Sequence, residues 1–272
     1  MRLRYSALFA LIIAALFASC MKDGSDDTRR SLLKSWSDYI VYELYAEFRD
    51  KSALLDSEVI ALCASPSAEG LESARAAWSN ARAPWKRAEV FAFGPYKKEP
   101  HRYGIKLDFW PAREDAIDDM LNGDTELSVE TVANFGTVHA GMPALGYLLH
   151  QPDIDHIAEL QSNARRCGYL TGLSADLKVD AAGMFDAWDV QGDNYVTTFV
   201  EAGSGSEVFE TQQAALTEVV NRLGWTVENI RLDKMGAPMG EKAGDGLPQA
   251  DMAESRFSGR SLEDIRNNVQ GL

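Results

Sequence analysis

The sequence is poor in the side chains that catalytic and metal sites most often use. Its 272 residues include three cysteines and four histidines. They form no Cys-x-x-Cys pair and no His-Glu-x-x-His motif, the common signatures of redox and zinc sites. No nucleophile elbow and no pair of carboxylates in a catalytic context stands out either. Local motifs therefore give no support for a hydrolase.

Basic residues are also scarce, with 27 Lys and Arg against 41 Asp and Glu and a formal net charge of −14. Such an acidic chain repels phosphate backbones, which excludes nucleic acid as a partner. No apolar run is long enough to span a bilayer. The run from Ala7 to Ala18 follows Arg2 and Arg4, and its length and flanks are typical of a secretory signal.

A stretch of small residues ends at Cys20 and resembles a bacterial lipobox, with Phe17 where leucine is usual. We therefore expect a signal peptide over residues 1–19, a lipid on Cys20 and a flexible acidic tether over residues 20–30. A cleaved signal followed by a chance cysteine is the alternative. The expected location is the envelope of a Gram-negative bacterium, as an outer-membrane lipoprotein that faces the periplasm or the cell surface. The lipid would be its attachment to the membrane.

Beyond the tether, apolar residues recur every three or four positions, and no segment alternates as a strand does. The pattern predicts an all-α protein built of antiparallel helical bundles. We expect a first helical bundle over residues 31–190 and a partial second helical bundle over residues 191–272. The spacing predicts one long helix over residues 153–188, whereas the Gly- and Pro-rich residues 235–250 predict a loop.

Two cysteines remain if Cys20 is acylated. Cys63 and Cys167 each lie among apolar residues at helical spacing, where cysteine behaves as a small hydrophobic residue. Two buried thiols are the favoured interpretation. A disulfide between them stays open, because an oxidising envelope would permit it.

One stretch concentrates charged and aromatic residues. Arg82, Trp85 and Glu89 share one face of a predicted helix, and Asp108 and Trp110 follow in a Leu-Asp-Phe-Trp-Pro segment. One interpretation is a buried ion pair of Arg82 and Glu89 that closes a helix end against tryptophans. The other is a wall of a binding site. For Asp108 alone, capping of the next helix is a third hypothesis.

A second candidate wall lies at residues 135–150, where a predicted helix contains Gly141, Pro143 and Gly146. In a helix interior a glycine costs about 1 kcal/mol and a proline about 3 kcal/mol. A sequence that tolerates such penalties generally needs a close backbone approach or a deliberate break.

Several blocks in this order resemble the imelysin family of bacterial envelope proteins: WSNARAPWKRAEVFAFGP, LDFWP, GMPALGYLLH, GAPMG and ESRFSGRSLEDI. The resemblance implies an all-α fold of two related helical bundles with the functional site in the cleft between them. The family includes proteins described as insulin-cleaving metallopeptidases and others tied to iron uptake. Its hallmark is Gly-x-His-x-x-Glu on a helix, where the two side chains could hold a divalent metal.

The hallmark is degenerate in this sequence. Laid over GMPALGYLLH, its glycine falls on Gly141, its histidine on Pro143 and its glutamate on Gly146, so both candidate metal ligands are missing. His139 lies nearby and is the one candidate to replace them. A single histidine without a neighbouring carboxylate is, however, more often structural.

Proteins that this chain resembles generally continue for several more helices. The helices expected over residues 206–232 and 261–268 would then present apolar faces without cover. Such faces imply a second copy or another partner chain, a marginal second bundle, or a shortened gene product.

The favoured function is a lipid-anchored, non-catalytic binding protein of the imelysin type that is linked to iron acquisition. Its ligand would be a small molecule, a metal or a protein, and the resemblance leaves a divalent metal or iron open as a cofactor. The expected ligand-binding residues are Arg82, Trp85, Glu89, Asp108, Trp110, Gly141, Pro143 and Gly146. The alternatives are a metallopeptidase and a truncated or degenerate structural member.

Overall fold

The structure, a computed structural model, describes residues 26–242 and 246–272. These residues form helices and connecting turns without a strand, which confirms the predicted all-α class. The predicted signal peptide and Cys20 lie outside the described residues. Residues 26–30 differ from the expected tether, because they are helical and Arg29 pairs with Asp26 one turn earlier.

The α-helices in chain order are α1 (Tyr42–Ala64), α2 (Ala68–Ala88), α3 (Tyr103–Leu107), α4 (Glu114–Asn122), α5 (Val129–Val132), α6 (Gly141–His150), α7 (His156–Ser162), α8 (Ala164–Trp188), α9 (Tyr195–Val200), α10 (Gln212–Asn229) and α11 (Ser261–Gly271). Residues 26–36 are also α-helical, and the π-helical segment Ser37–Val41 joins them to α1. A second π-helical segment, Ile230–Gly236, continues α10.

Four of these helices pack as an up-down-up-down bundle. The α1 and α2 helices run antiparallel, with the rings of Phe48 and Trp85 centred 5.1 Å apart. The start of α1 meets the end of α8, and α6 lies between α2 and α8 on the opposite side. Leucines from α1, α6 and α8, including Leu55, Leu145 and Leu173, are fully buried in the shared core.

The helix predicted over residues 153–188 is broken at Asn163. Its side-chain oxygen accepts hydrogen bonds from the backbone N–H groups of Arg165 and Arg166, 3.2 and 3.3 Å away, and so caps α8. Apolar spacing continues across this cap from Leu160 to Cys167, and periodicity alone therefore did not show the break.

The glycines and proline of α6 have local explanations. Gly141 has a φ of +73°, and a Cβ there would lie 2.6 Å from the carbonyl oxygens of Lys106 and Leu107. This close approach at the start of α6 requires glycine. Pro143 falls in the first turn, where its missing N–H removes no helical hydrogen bond. The break thus precedes α6 and does not interrupt it.

Helices α10 and α11 pack at the C-terminal end of α2. The side chain of Asn268 in α11 donates to the backbone oxygen of Lys86, 2.8 Å away. The α10 helix packs against the 3-10 turn Glu89–Phe91, which follows α2. The division of the chain into two bundles near residue 190 stays a prediction.

Apolar side chains remain uncovered on α10 and α11. Val220 and Val227 are 60% and 54% exposed, and Leu262 and Val269 are 79% and 56% exposed. Cys63 and Cys167 are free, partly buried thiols that meet where α1 ends and α8 begins.

Candidate functional site

A buried group of charged side chains lies at the C-terminal end of α2. This charge cluster consists of Arg82, Lys86, Glu89, Asp108, Lys234, Glu254 and Asp264. Each side chain is at most 10% exposed. Charges are buried to this degree only when they are paired and hydrogen-bonded, so the partners of each decide what the cluster can do.

The ammonium group of Lys86 lies at the centre of three carboxylates. Its Nζ donates to Glu89 Oε1 at 2.6 Å, Asp108 Oδ2 at 2.5 Å and Glu254 Oε1 at 2.5 Å. Among the described residues these three carboxylates are also the group that could hold a metal ion, with candidate ligand atoms within 4.8 Å of one another. The chain therefore supplies its own cation at this position.

The charge state of Lys86 follows from these contacts. Burial lowers its pKa, but the carboxylates of Asp108, Glu254 and Glu89 raise it by more, and the net pKa lies well above that of an ordinary lysine. The ammonium consequently stays protonated at any physiological pH.

Arg82 bridges the first part of the chain to α11. Its Nε and Nη2 donate to the Asp264 carboxylate at 2.9 to 3.2 Å, and its Nη1 donates to Asp108 Oδ1 at 3.1 Å. Ser255 donates a further hydrogen bond of 2.5 Å to Asp264. The contact between Arg82 and Asp264 is bidentate, which is the arrangement in which arginine binds a carboxylate most strongly.

Glu89 does not pair with Arg82, which corrects the ion pair inferred from their spacing. Its carboxylate accepts hydrogen bonds from Lys86, from Lys234 at 2.8 Å and from Asn268 at 2.5 Å. The reason is that α2 ends at Ala88 and Glu89 begins a 3-10 turn, so the α-helical alignment with Arg82 is lost.

The Asp108 carboxylate does not cap the next helix, α4, whose N-cap residue is Arg113. The Asp108 carboxylate accepts hydrogen bonds from Arg82, Lys86 and, at 3.0 Å, the indole N–H of Trp85. Burial raises the pKa of Asp108, but the two cations lower it by more, well below the usual range. Trp110 lies two residues further along, and its buried indole N–H has no partner within the described part of the chain.

Two of the hallmark positions, Pro143 and Gly146, lie beside the cluster and line a cavity of about 20 Å³, which has room for one water molecule. Its walls include Pro143, Gly146, Arg82, Glu254 and Ser255. Gly146 also faces the indole ring of Trp78, which is 2% exposed and donates from Nε1 to the Met142 carbonyl at 2.9 Å.

A side chain at position 146 has no space. A Cβ there would lie 2.6 Å from Cζ2 of Trp78, inside van der Waals contact. This chain therefore lacks the glutamate of the hallmark, and the ring of Trp78 occupies the space that the Cβ of a glutamate at position 146 would need.

His139 does not replace the missing ligands. Its ring packs edge-on against Phe135, and its backbone oxygen accepts a 2.6 Å hydrogen bond from the Tyr169 hydroxyl. In residues 26–242 and 246–272, His139 belongs to no group of three or more metal-ligating side chains.

The structure brings Arg82, Trp85, Glu89 and Asp108 together, as their common stretch of sequence suggested. Four charged members of the cluster were missed: Lys86, Lys234, Glu254 and Asp264. A signal was available for Lys86, which lies one turn after Arg82 on the same face of α2. Glu254 and Asp264 lie in the ESRFSGRSLEDI block, which marked them as family positions without revealing their partners.

The chain is similar to proteins named for iron regulation. It is 27% identical over 261 residues to iron-regulated protein A of Synechococcus elongatus, covering 95% of this chain and 67% of that protein. A solved structure from Parabacteroides distasonis, described as an iron-regulated protein A precursor, superposes with a TM-score of 0.74 at 19% identity, covering 90% of this chain and 72% of that one.

An imelysin-like protein from Psychrobacter arcticum gives a TM-score of 0.73 at 21% identity, covering 92% of this chain and 74% of that one. At these identities the two solved structures establish a shared fold. The model of the family described as Imelysin matches residues 41–272. Because that match extends over most of the sequence, the chain belongs to the imelysin family.

Proposed function

We propose that this chain is a non-catalytic, lipid-anchored envelope protein that serves iron acquisition by binding a ligand. The proposal that the protein is non-catalytic rests on the residues at the hallmark positions. Pro143 and Gly146 offer no ligand atoms, and Trp78 fills the space beside Gly146. A hydrolytic metal needs protein ligands, and the two hallmark positions supply none. The names of the relatives support the link to iron.

The three carboxylates around Lys86 do not restore a catalytic metal site. A metal ion could enter only by displacing an ammonium whose pKa is raised and which donates to all three. Burial of the cluster also removes access for a peptide substrate, since Lys86 is 1% exposed.

A ligand larger than one water requires movement near the hallmark positions. One wall of the cavity there is the segment that carries Glu254, Ser255 and Phe257. This segment is held by the hydrogen bond from Ser255 to Asp264 and by the ring of Phe257, centred 4.8 Å from that of Tyr147. Capture of an iron chelate would therefore displace Phe257 from Tyr147.

The test uses residues 21–272, purified without the anchor. Metal analysis and titration calorimetry with Fe(III) citrate and with zinc, together with a peptide hydrolysis assay, separate the functions. We expect no hydrolysis and no retained zinc, with binding of the iron chelate. Stoichiometric zinc together with peptide hydrolysis would establish a metallopeptidase instead.

The anchor has its own test. Within the described residues, none of the helices is long and apolar enough to cross a membrane. If a lipid on Cys20 provides attachment, palmitate labelling of the expressed precursor disappears in Cys20→Ala and the protein leaves the membrane fraction. Labelling that persists in this variant would contradict the proposal.

A structural role is the second candidate, because the charge cluster is buried and its members pair with one another across α2 and α11. Glu89→Gln separates the two. In either case Lys86 and Lys234 lose a buried partner, and the free energy of unfolding falls by about 3 kcal/mol. If Glu89 serves ligand capture, the folded variant also loses Fe(III) citrate binding; if Glu89 is only structural, the folded variant still binds it.

The uncovered apolar side chains on α10 and α11 support a protein partner, and a second copy of the chain is the simplest one to test. Sedimentation of residues 21–272 should then show a dimer that Val220→Glu dissociates. A monomer at all concentrations would rule out self-association and leave a different partner chain.

A further inference from the structure

We propose that Cys63 and Cys167 are an oxidative modification site that forms an intramolecular disulfide on exposure to a disulfide-bearing oxidant. Cys63 lies in the last turn of α1, and Cys167 lies in the first turn of α8. Because α1 and α8 run antiparallel, these two helix ends lie side by side.

The contacts between the two residues are reciprocal. Cys63 Sγ lies 3.8 Å from the backbone oxygen of Cys167, and Cys167 Sγ lies 4.0 Å from the backbone oxygen of Cys63. Burial, and then the neighbouring Cys167, raise the pKa of Cys63. A disulfide needs the sulfurs to approach to about 2.05 Å, and residues at helix ends can make such a shift more easily than residues inside a helix.

Both side chains are partly exposed, so an oxidant can reach them. In the reaction, a thiolate of the pair attacks the oxidant's disulfide and releases one thiol. The second cysteine then attacks the mixed disulfide and releases the other. One S–S bond forms in the protein, the two thiols lose two electrons and two protons, and the oxidant's disulfide is reduced to two thiols. The raised pKa of Cys63 leaves little of its thiolate at pH 7, and the reaction should be faster at pH 9, where the thiolate fraction is larger.

The bond would close a loop between residues 104 positions apart. This loop contains α2, the hallmark positions and four of the seven members of the charge cluster. Closing a loop of about 100 residues restricts the unfolded chain strongly. If the native geometry is kept, the melting temperature should rise by on the order of 10 °C.

The experiment uses residues 21–272, which contain Cys63 and Cys167 and no other cysteine. After incubation with oxidised glutathione at pH 9, thiol titration under denaturing conditions should fall from two per chain to none. The mass should drop by two hydrogens, the protein should stay monomeric on a non-reducing gel, and dithiothreitol should reverse the rise in melting temperature.

Cys63→Ser and Cys167→Ser are the matched controls, and each should retain one thiol or carry one glutathione. The inference is overturned if the parent protein keeps two free thiols, accumulates glutathione adducts, or forms intermolecular dimers. An oxidised monomer whose melting temperature does not rise would also contradict it, because the bond would then strain the native state.

Discussion

Replacing Lys86 with methionine tests whether its ammonium holds the charge cluster together. Methionine preserves the apolar stem of a side chain that is 1% exposed but removes the positive charge between Glu89, Asp108 and Glu254. Removing one partner from a buried ion pair typically costs about 3 to 5 kcal/mol. For a chain of this size such a loss lowers the melting temperature by roughly 10 °C.

The measurement is urea unfolding at pH 7.5 followed by circular dichroism. Lys34→Met is the matched control, because Lys34 pairs with Asp38 at 2.6 Å on the surface, where its side chain is 64% exposed. An exposed pair contributes at most about 1 kcal/mol. If Lys86→Met costs no more than Lys34→Met, the view of Lys86 as the central cation is refuted.

A divalent cation provides a second readout in the same variant. Without the ammonium, the three carboxylates keep their positions as a candidate metal site, so millimolar Mn²⁺ should raise the melting temperature of Lys86→Met. The parent protein, whose site is filled by Lys86, should show no such rise. Equal responses in both proteins would contradict the assignment.

Two further predictions concern packing and pH. Gly146→Ala should lower the free energy of unfolding by about 1 to 2 kcal/mol, because the new Cβ would collide with the Trp78 ring. Gly224→Ala should raise it by about 1 kcal/mol, because Gly224 is an exposed helical position with open space around it. The urea midpoints of both variants test these two values. The pKa prediction concerns Glu254. Burial raises the pKa of its carboxyl group, but Lys234, Lys86 and Arg82 lower it by more, so that the pKa falls from 4.5 to about 2. Its contribution to stability is therefore complete above pH 4.5 and lost as the pH falls toward 2, and unfolding midpoints measured from pH 4.5 down to pH 2 should decline.

The helical class was predictable because burial in this fold follows local periodicity. Leu71, Ala74, Trp78 and Trp85 follow one another along α2 at steps of three, four and seven positions, and all four are buried. The cap at Asn163 was not predictable in the same way. It depends on one side-chain oxygen reaching two backbone N–H groups, while the apolar spacing continues past it.

The sequence predicts the members of the charge cluster that lie on α2, but not the partners that come from distant parts of the chain. Arg82 and Lys86 lie one turn apart, so the shared buried face of α2 was readable from spacing. Asp264 is separated from Arg82 by 182 positions, and Lys234 from Glu89 by 145. Spacing within a helix cannot identify a partner that tertiary packing supplies from another helix.

The same separation sets an order of events during synthesis. Until the segment from Glu254 to Asp264 has emerged, Arg82 can meet Asp108 but lacks Asp264, and Lys86 lacks the carboxylate of Glu254. A nascent chain would have to desolvate both cations without their full set of partners, which disfavours burial of the end of α2. Contacts between distant residues also form slowly. The segment from Glu254 to Asp264 therefore completes the pairing of Arg82 and Lys86, and the end of α2 reaches its final packing only after that segment has been made.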